Sequence, residues 1–279
     1  MKKNILIIGR HSFISVNLFH YFKSRTNVKK ISFRDFRILK SKQIDKYNYI
    51  INCSLKLQYI KNKYNQKNDL DLYIANKIKK NTTKLVFLGS RHVYYPRNNI
   101  KENYKKNPIS NYGKNKSKTE NLINKILSNR VLILRIANII GDRNLRKYRK
   151  IHKTFIDIFF ETINLNYVLN NQRLYKDFLT IGQIVKIIYK LIKIDSTGIF
   201  NVSSGKKIFL FELIEWLLKY NKSEINLINP TKLQKNKIEN KSFYLNNSKL
   251  RKKINFIFKQ DELKKECFKL SKKYLYGKK

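Results

Sequence analysis

Short apolar runs alternate along the chain with stretches of helical periodicity, and that alternation restricts the architectures open to it. NILIIG (4–9), YIINCS (49–54), KLVFLGS (84–90) and RVLILRI (130–136) are apolar on consecutive positions rather than on every second one. That is the pattern of a strand covered on both faces. A further strand is expected at VKKISF (28–33). Between the strands, Phe13, Ile14, Leu18, Phe19 and Phe22 fall on a helical stripe. Residues 65–80 read as a helix with a lysine-rich last turn, and PISNYGKNKSKTENLINKIL (108–127) contains a long helix. The order predicts an α/β fold with a parallel sheet and helices on both of its faces.

The texture changes after Gly141. A helix is expected at 151–164, a strand turning into a helix at DFLTIGQIVKIIYKLI (177–192), and a strand and turn at GIFNVSSG (198–205). Further helices are expected at 208–220 and 260–275. No glycine, serine or proline linker separates the halves, so they are expected to pack together. The division read from the sequence is 1–141 for the first unit and 142–279 for a smaller second one. Segments around 177–205 of the latter return to the first unit.

Composition narrows the function classes. The chain has 279 residues, 62 Lys+Arg against 18 Asp+Glu, and a formal net charge of +44. Hydrophobic residues make up 42%, enough for a real core and against disorder. Such a surface attracts anions. The lysines are scattered rather than gathered with arginine and aromatics on one face, so no specific nucleic-acid partner is expected. Ala75 and Ala137 are the only alanines, while Lys, Asn, Ile and Tyr abound, so a compositional bias accounts for much of the charge. No run reaches the about 18 apolar residues of a membrane span. The short apolar run after the first lysines, Ile5 to Ile8 with Asn4 before it, lacks a small-residue cleavage site. No membrane insertion is expected, and a cytoplasmic location is. Cys53 and Cys267 lie far apart with no ligand spacing, so neither a disulfide framework nor a metal site is expected.

The first strand runs into GRHSFIS (9–15) and then a helix. A helix N-terminus behind such a turn favours a pyrophosphate, through unbonded N–H groups and the helix dipole. Of the three glycines that let a backbone approach a dinucleotide, only Gly9 is present. Ser12 and Ser15 stand at the other two places, and the turn alone is weak evidence. Further on, LVFLGSRHVYYP (85–96), KENYKKNPISNYGKNKSKTENL (101–122) and LRIANIIGDR (134–143) follow in order. Together these segments resemble the extended short-chain dehydrogenase/reductase family, whose NAD(P)-dependent epimerases, dehydratases and reductases act mainly on nucleotide sugars. Ser90 stands three positions before the Val93–Tyr94 pair, Tyr112 and Lys116 match the family's Y-x-x-x-K, and Arg135, Asn138 and Gly141 match its R-x-x-N-x-x-G. Asp177 and Phe178, GIFNVSSG, and LNNSKLRKKINF (245–256) extend the likeness over nearly the whole chain.

The resemblance implies a Rossmann-type doubly wound sheet with a small C-terminal substrate-binding lobe. It also implies a nucleotide-sugar substrate handled by hydride transfer, and a role in surface polysaccharide synthesis. Tyr112 would be the acid/base, Lys116 its electrostatic partner and a holder of the nicotinamide ribose, and Ser90 the donor that orients the substrate oxygen. The chemistry agrees. Tyr112 and Lys116, four apart on a helix, share one face. A phenol titrates near 10 in water, and a neighbouring ammonium draws it toward the working range. The dinucleotide is assigned to Gly9, Ser12, Phe13, Ile14, Arg34 and Cys53 together with Tyr112 and Lys116. The substrate is assigned to His92, Asn138 and Lys176. Cys53 is expected to be a buried small hydrophobe, His11 exposed, and Asp69 and Asp71 surface or capping groups.

At the end of the second strand, SFRDF sets Ser32 and Arg34, which suit NADP, against Asp35, which suits NAD; the balance falls slightly to NADP. Two departures from the family pattern are the missing glycines and the short C-terminal part. Arg91 and His92, where dehydratases carry acidic residues, favour a keto-sugar nucleotide reductase or a compact epimerase. A catalytically silent Rossmann-like binding protein is the alternative, and a homodimer is compatible with either.

Overall fold

In the computed structural model the residues described are 2–143, 154–163, 167–169, 173–222, 226–228 and 241–276, with 167–169 and 226–228 described by backbone alone. The expected helix at 151–164 lies partly outside them. The first half of the chain runs β1 (Asn4–Ile8), α1 (Phe13–Phe22), β2 (Asn27–Ile31), α2 (Phe33–Ile38), α3 (Ser41–Ile44), β3 (Tyr49–Asn52), α4 (Leu57–Lys61), α5 (Leu70–Lys77), β4 (Lys84–Ser90), a 3-10 turn (Arg91–Val93), α6 (Asn111–Leu127) and β5 (Val131–Ile136). The second half continues with β6 (Asn138–Ile140), α7 (Phe155–Ile163), β7 (Tyr167–Leu169), β8 (Tyr175–Lys176), β9 (Phe178–Thr180), α8 (Ile181–Lys193) and β10 (Gly198–Val202). It ends with β11 (Ile208–Phe209), α9 (Leu210–Leu218), β12 (Asn226–Ile228), α10 (Ser248–Ile254) and α11 (Gln260–Leu275).

Six strands form one parallel sheet in the order β10-β5-β4-β3-β1-β2. The chain winds outward from β1 to β2, then crosses to β3 on the other side of β1. That reversal opens a crevice beyond the carboxyl ends of β1 and β3, where such sheets take ligands. The consecutive apolar runs are explained by burial on both faces. Ile5, Ile7, Val86, Leu132 and Leu134 meet α1 and α8 on one side. Leu6, Ile8, Ile50, Leu85, Phe87 and Ile133 on the other meet Phe36, Ile74, Ala75, Ile78, Ile123 and Leu127. A separate core holds Ile140, Ile156, Phe159, Phe160, Phe178, Leu213, Leu217, Cys267 and Leu270, drawn from the second half of the chain.

The expected strands are present, with ends trimmed where the chain leaves the sheet. Gly9, Cys53 and Ser54 belong to crevice turns and not to β1 or β3. The helix expected at 65–80 divides into a 3-10 turn at Gln66–Asn68 and α5, because Asp69 caps α5 by accepting from the Leu72 N–H (3.0 Å). No helix among the described residues is long and apolar enough to cross a membrane.

Candidate active site

Gly9 leaves β1 with φ +111°, a conformation that side chains rarely adopt. A Cβ there would stand 3.0 Å from Ser54 Oγ and 3.1 Å from the Cys53 carbonyl carbon, so the turn lies against the end of β3. Its N–H donates to the Ile31 carbonyl (2.9 Å), which ties the turn to β2 as well. Ser12 is the N-cap of α1, its hydroxyl accepting from Ser15 N–H (3.3 Å). The Ser15 hydroxyl is buried and turned inward, donating to the Gly9 and Ser12 carbonyls. Phe13 and Ile14 are the first residues of α1, so their N–H groups have no carbonyl a turn earlier in the helix to bond.

Small residues at 9, 12 and 15, two unbonded N–H groups and the positive end of a ten-residue helix fit a dinucleotide pyrophosphate. Cys53 is partly buried, and burial pushes its thiol well above its ordinary pKa. It is a neutral wall residue. His11 is exposed.

The second group gathers at the end of β4. Ser90, 8% exposed, ends the strand and caps the Arg91–Val93 turn, its Oγ accepting from His92 N–H (3.2 Å). α6 starts beside that turn. Ser110 caps it by accepting from Gly113 N–H (3.1 Å), and Gly113 packs against the turn so closely that a Cβ would lie 2.2 Å from the His92 carbonyl oxygen. This contact sets the Tyr112 ring edge-on to His92, centroids 5.8 Å apart.

One turn further along α6, Lys116 is 4% exposed, its ammonium 4.6 Å from the centre of the Phe87 ring and 5.6 Å from that of Tyr59. Its Nζ lies 3.4 Å from Asp71 Oδ2. Burial works against the Lys116 charge, but Asp71, Tyr112 and Asp69 outweigh it and raise the lysine above its usual value. Burial also raises the Asp71 carboxyl, with Lys116 opposing and Asp69 reinforcing.

The reading of Asp69 and Asp71 as surface or capping groups needs correction. Asp69 is a cap but a buried one, also accepting from Tyr64 Oη (3.0 Å) and Thr119 Oγ1 (2.5 Å). Asp71 is no surface group. Asn52 Nδ2 donates to its Oδ1 (2.8 Å), and the Asn52 Oδ1 accepts from Ser54 N–H (3.0 Å). One chain of contacts thus runs from the Gly9 turn through Ser54, Asn52 and Asp71 to Lys116, joining the two groups of residues.

Asn138 begins β6, just past β5, and Lys176 ends β8. Asn138 Oδ1 accepts from Arg91 Nε (3.2 Å), and its Nδ2 donates to the Asp177 carbonyl (3.1 Å), next to Lys176. Arg91 lies over the Phe243 ring, 3.9 Å from its centre. The other matched residues are buried in the frame. Arg135 grips Glu120 through Nε (3.1 Å) and Nη2 and reaches the Glu102 carbonyl (2.8 Å). Asp177 accepts from Ser204 N–H (2.8 Å) and Leu245 N–H (3.0 Å), while burial raises its carboxyl to about 6. A Cβ on Gly141 would meet Ile181 at 2.6 Å and Phe13 at 2.9 Å.

Arg34 lies apart from these, exposed on α2. Its neighbour Asp35 is committed within the chain, in a capping box with Ser32 and an ion pair to Arg10 (3.1 Å). The Ser32 hydrogen bonds, helped by Arg10 and Arg34, hold the Asp35 carboxyl below its usual range. Asn52, Asp71, Glu120 and the close approach at Gly113 were not found from the sequence; they belong to elements that meet only in the fold.

A doubly wound parallel sheet with a capped helix turn at its switch point is a Rossmann-type architecture. The model of the NAD dependent epimerase/dehydratase family matches residues 5–203, and the chain belongs to that family. No curated protein matches. Among solved structures, the chain is similar to the UDP-N-acetylglucosamine 4-epimerase from Methanobrevibacter ruminantium M1, solved with UDP-N-acetylmuramic acid, at 20% identity and TM-score 0.80 over 98% of each chain. It is also similar to WbmG from Bordetella bronchiseptica, solved with NAD, at 18% identity and TM-score 0.75 over 98% of this chain and 94% of that one. A dTDP-4-dehydrorhamnose reductase from Clostridium acetobutylicum shares the fold at 15% identity and TM-score 0.73, over 96% and 99% of the two chains.

Proposed function

We propose that the protein is an NAD(P)-dependent reductase or epimerase of a nucleotide-linked sugar. Residues 142–279 would supply most of the substrate-binding lobe, with the segments around 177–205 returning to the dinucleotide-binding unit. Gly9, Ser12 and the N–H groups of Phe13 and Ile14 would hold the dinucleotide phosphates, and Cys53 would wall the crevice. When bound, the nicotinamide supplies or accepts the hydride. In the reductive direction the sugar carbonyl carbon gains that hydride and its oxygen gains the Tyr112 proton, leaving a phenolate. Lys116 stabilises the phenolate, and Ser90 donates to the same substrate oxygen. His92, against the Tyr112 ring, and Asn138 and Lys176, on the lobe side, would contact the sugar or its phosphates.

The observation that carries this reading is the seating of α6 on the Ser90–His92 turn through Gly113, with Lys116 next on the same helix face. Arg34 in the first turn of α2, beside an Asp35 already engaged by Ser32 and Arg10, favours the 2′-phosphate of NADP. Arg91 and His92 after Ser90 favour reduction or epimerisation over dehydration. A role in surface polysaccharide synthesis goes with the family likeness. Serines at 12 and 15, where the dinucleotide turn has glycines, favour a second reading, a silent relative that binds no dinucleotide.

The test follows nicotinamide absorbance at 340 nm with UDP- and dTDP-linked 4-keto sugars and, since an epimerase returns its hydride and leaves no net absorbance change, follows epimer formation by ¹H NMR with the 4-hydroxy sugars. Tyr112→Phe is expected to lower turnover by roughly 10²- to 10⁴-fold while leaving dinucleotide binding in place. Equal turnover in the variant would remove Tyr112 from the chemistry.

A further inference from the structure

His92 adjoins both residues assigned to the reacting oxygen, and hydride transfer makes no use of its chemistry. Its backbone is fixed from two sides. The N–H donates to Ser90 Oγ (3.2 Å), and a Cβ on Gly113 would lie 2.2 Å from its carbonyl oxygen. The 3-10 turn that carries it is closed by Tyr94 N–H donating to the Arg91 carbonyl (3.0 Å), and the Val93 carbonyl accepts from Asn107 N–H (3.0 Å). On that fixed turn the half-buried imidazole meets the Tyr112 ring, with 5.8 Å between centres and 67° between planes. The carbons beside a carbonyl lie one bond beyond it, so a base that neighbours the phenol neighbours them too.

A sugar carbonyl whose oxygen accepts from the Ser90 and Tyr112 hydroxyls is polarised, and the hydrogens on the two flanking carbons become acidic. Removing one needs a second base, because Tyr112 is engaged by the oxygen. The Arg91 guanidinium has no acceptor to offer. Lys116 stays protonated: burial opposes its charge, but Asp71, Tyr112 and Asp69 raise it above its usual value. Burial keeps the Cys53 thiol protonated as well. That leaves His92, and imidazole is the side chain that most often serves as a general base. We propose that His92 is a catalytic base that removes a proton from one carbon beside the sugar carbonyl, giving the site a proton-exchange activity that needs no dinucleotide. The C–H electron pair becomes the carbon–carbon double bond of an enolate, and the carbonyl π pair moves onto the oxygen held by Ser90 and Tyr112. The proton goes to an imidazole nitrogen. The imidazolium exchanges it with water and returns a proton to the same carbon, so nothing is oxidised or reduced. This rests on the reading of Ser90 and Tyr112 as the holders of a substrate carbonyl.

The experiment incubates the full chain with UDP- and dTDP-linked 4-keto sugars in deuterium oxide, without dinucleotide. It follows the ¹H signals of the two carbons flanking the carbonyl, beside protein-free samples. The unaltered protein is expected to speed the loss of one of these signals over the protein-free rate. His92→Gln is expected to slow that exchange by roughly 10²- to 10⁴-fold, and by about tenfold or more beyond any loss of 340 nm turnover with the same sugars. His92→Asn takes its place if the first variant does not fold. Exchange no faster than in the protein-free samples would overturn the proposal before any variant is made. So would undiminished exchange in a folded variant. An equal loss of exchange and of turnover would also overturn it, since a histidine that merely holds the sugar slows both alike. Reduction at 340 nm without exchange would sink this inference alone, whereas the absence of both would sink the enzyme reading with it.

Discussion

A methyl group on Gly113 would stand 2.2 Å from the His92 carbonyl oxygen, so Gly113→Ala must push the start of α6 off the Ser90–His92 turn. Tyr112 moves with it. A misplacement of about an ångström is worth roughly 10²-fold in rate, and Gly113→Ala is expected to lose that much turnover with the dinucleotide still bound. The 340 nm assay run beside a thermal melt checks both halves. Glu120 gives a contrasting case, a residue whose loss is felt in the fold. It is 2% exposed and pairs with Arg135, also buried, so Glu120→Ala strands a guanidinium. The expected cost is about 3–5 kcal/mol, read as a lower midpoint in urea unfolding. Of these residues, Ser90, His92, Tyr112 and Lys116 were legible in the sequence because order and spacing along one chain single them out. Asp71 and Asn52 were not, since the contact that gives Asp71 its meaning crosses between α5 and α6.

At the scale of elements, what was legible followed burial. The sheet strands are covered on both faces and announce themselves as apolar runs, while their ends were overestimated where Gly9, Cys53 and Ser54 turn into the crevice. The six-residue α2, the four-residue α3 and the two-residue β8 and β11 went unread, being too short to show a period. One junction makes a prediction about pH. Asp195, just past α8, accepts from Lys3 Nζ (3.0 Å), Tyr49 Oη (2.8 Å) and Lys84 Nζ, joining the amino-terminal ends of β1, β3 and β4. The Lys84 hydrogen bond foremost, opposed by partial burial and helped by Tyr49 and Lys3, holds its carboxyl well below the usual range. The folded protein therefore keeps Asp195 ionised at a pH where the unfolded chain has already taken up a proton. The stability it contributes is full above about pH 4 and is lost as the pH falls below that. Asp195 is half-exposed, so Asp195→Asn is expected to cost only about 1 kcal/mol at pH 7. The gap between the two proteins should narrow steadily as the pH falls below about 4. A gap that stays constant would contradict the assignment.

Across the whole molecule, the parallel sheet carries the crevice, and a second core gathers residues from the later part of the chain, Ile140 to Leu275. A parallel sheet with helices on both faces was legible from alternation alone, and its doubly wound order came with the family resemblance. The turn at Gly9 was ambiguous because serine at 12 and 15 admits two outcomes, and the fold shows one hydroxyl capping α1 and the other turned inward. A net charge of +44 complicates every binding experiment, since any polyanion is drawn to such a surface. Nucleotide binding must therefore be separated from anion binding. Thermal unfolding should be followed with NADPH, NADP, NADH and NAD, and with ATP and pyrophosphate at matched charge and ionic strength. A dinucleotide that binds the folded chain at 100 times its Kd contributes about 2.7 kcal/mol, a shift of several degrees. The account predicts that shift for at least one nicotinamide dinucleotide, larger for the NADP pair, and well beyond that given by ATP or pyrophosphate. Equal shifts for all six, or none, would mean that the Gly9–Ser15 turn is closed to a dinucleotide and that the silent-relative reading holds.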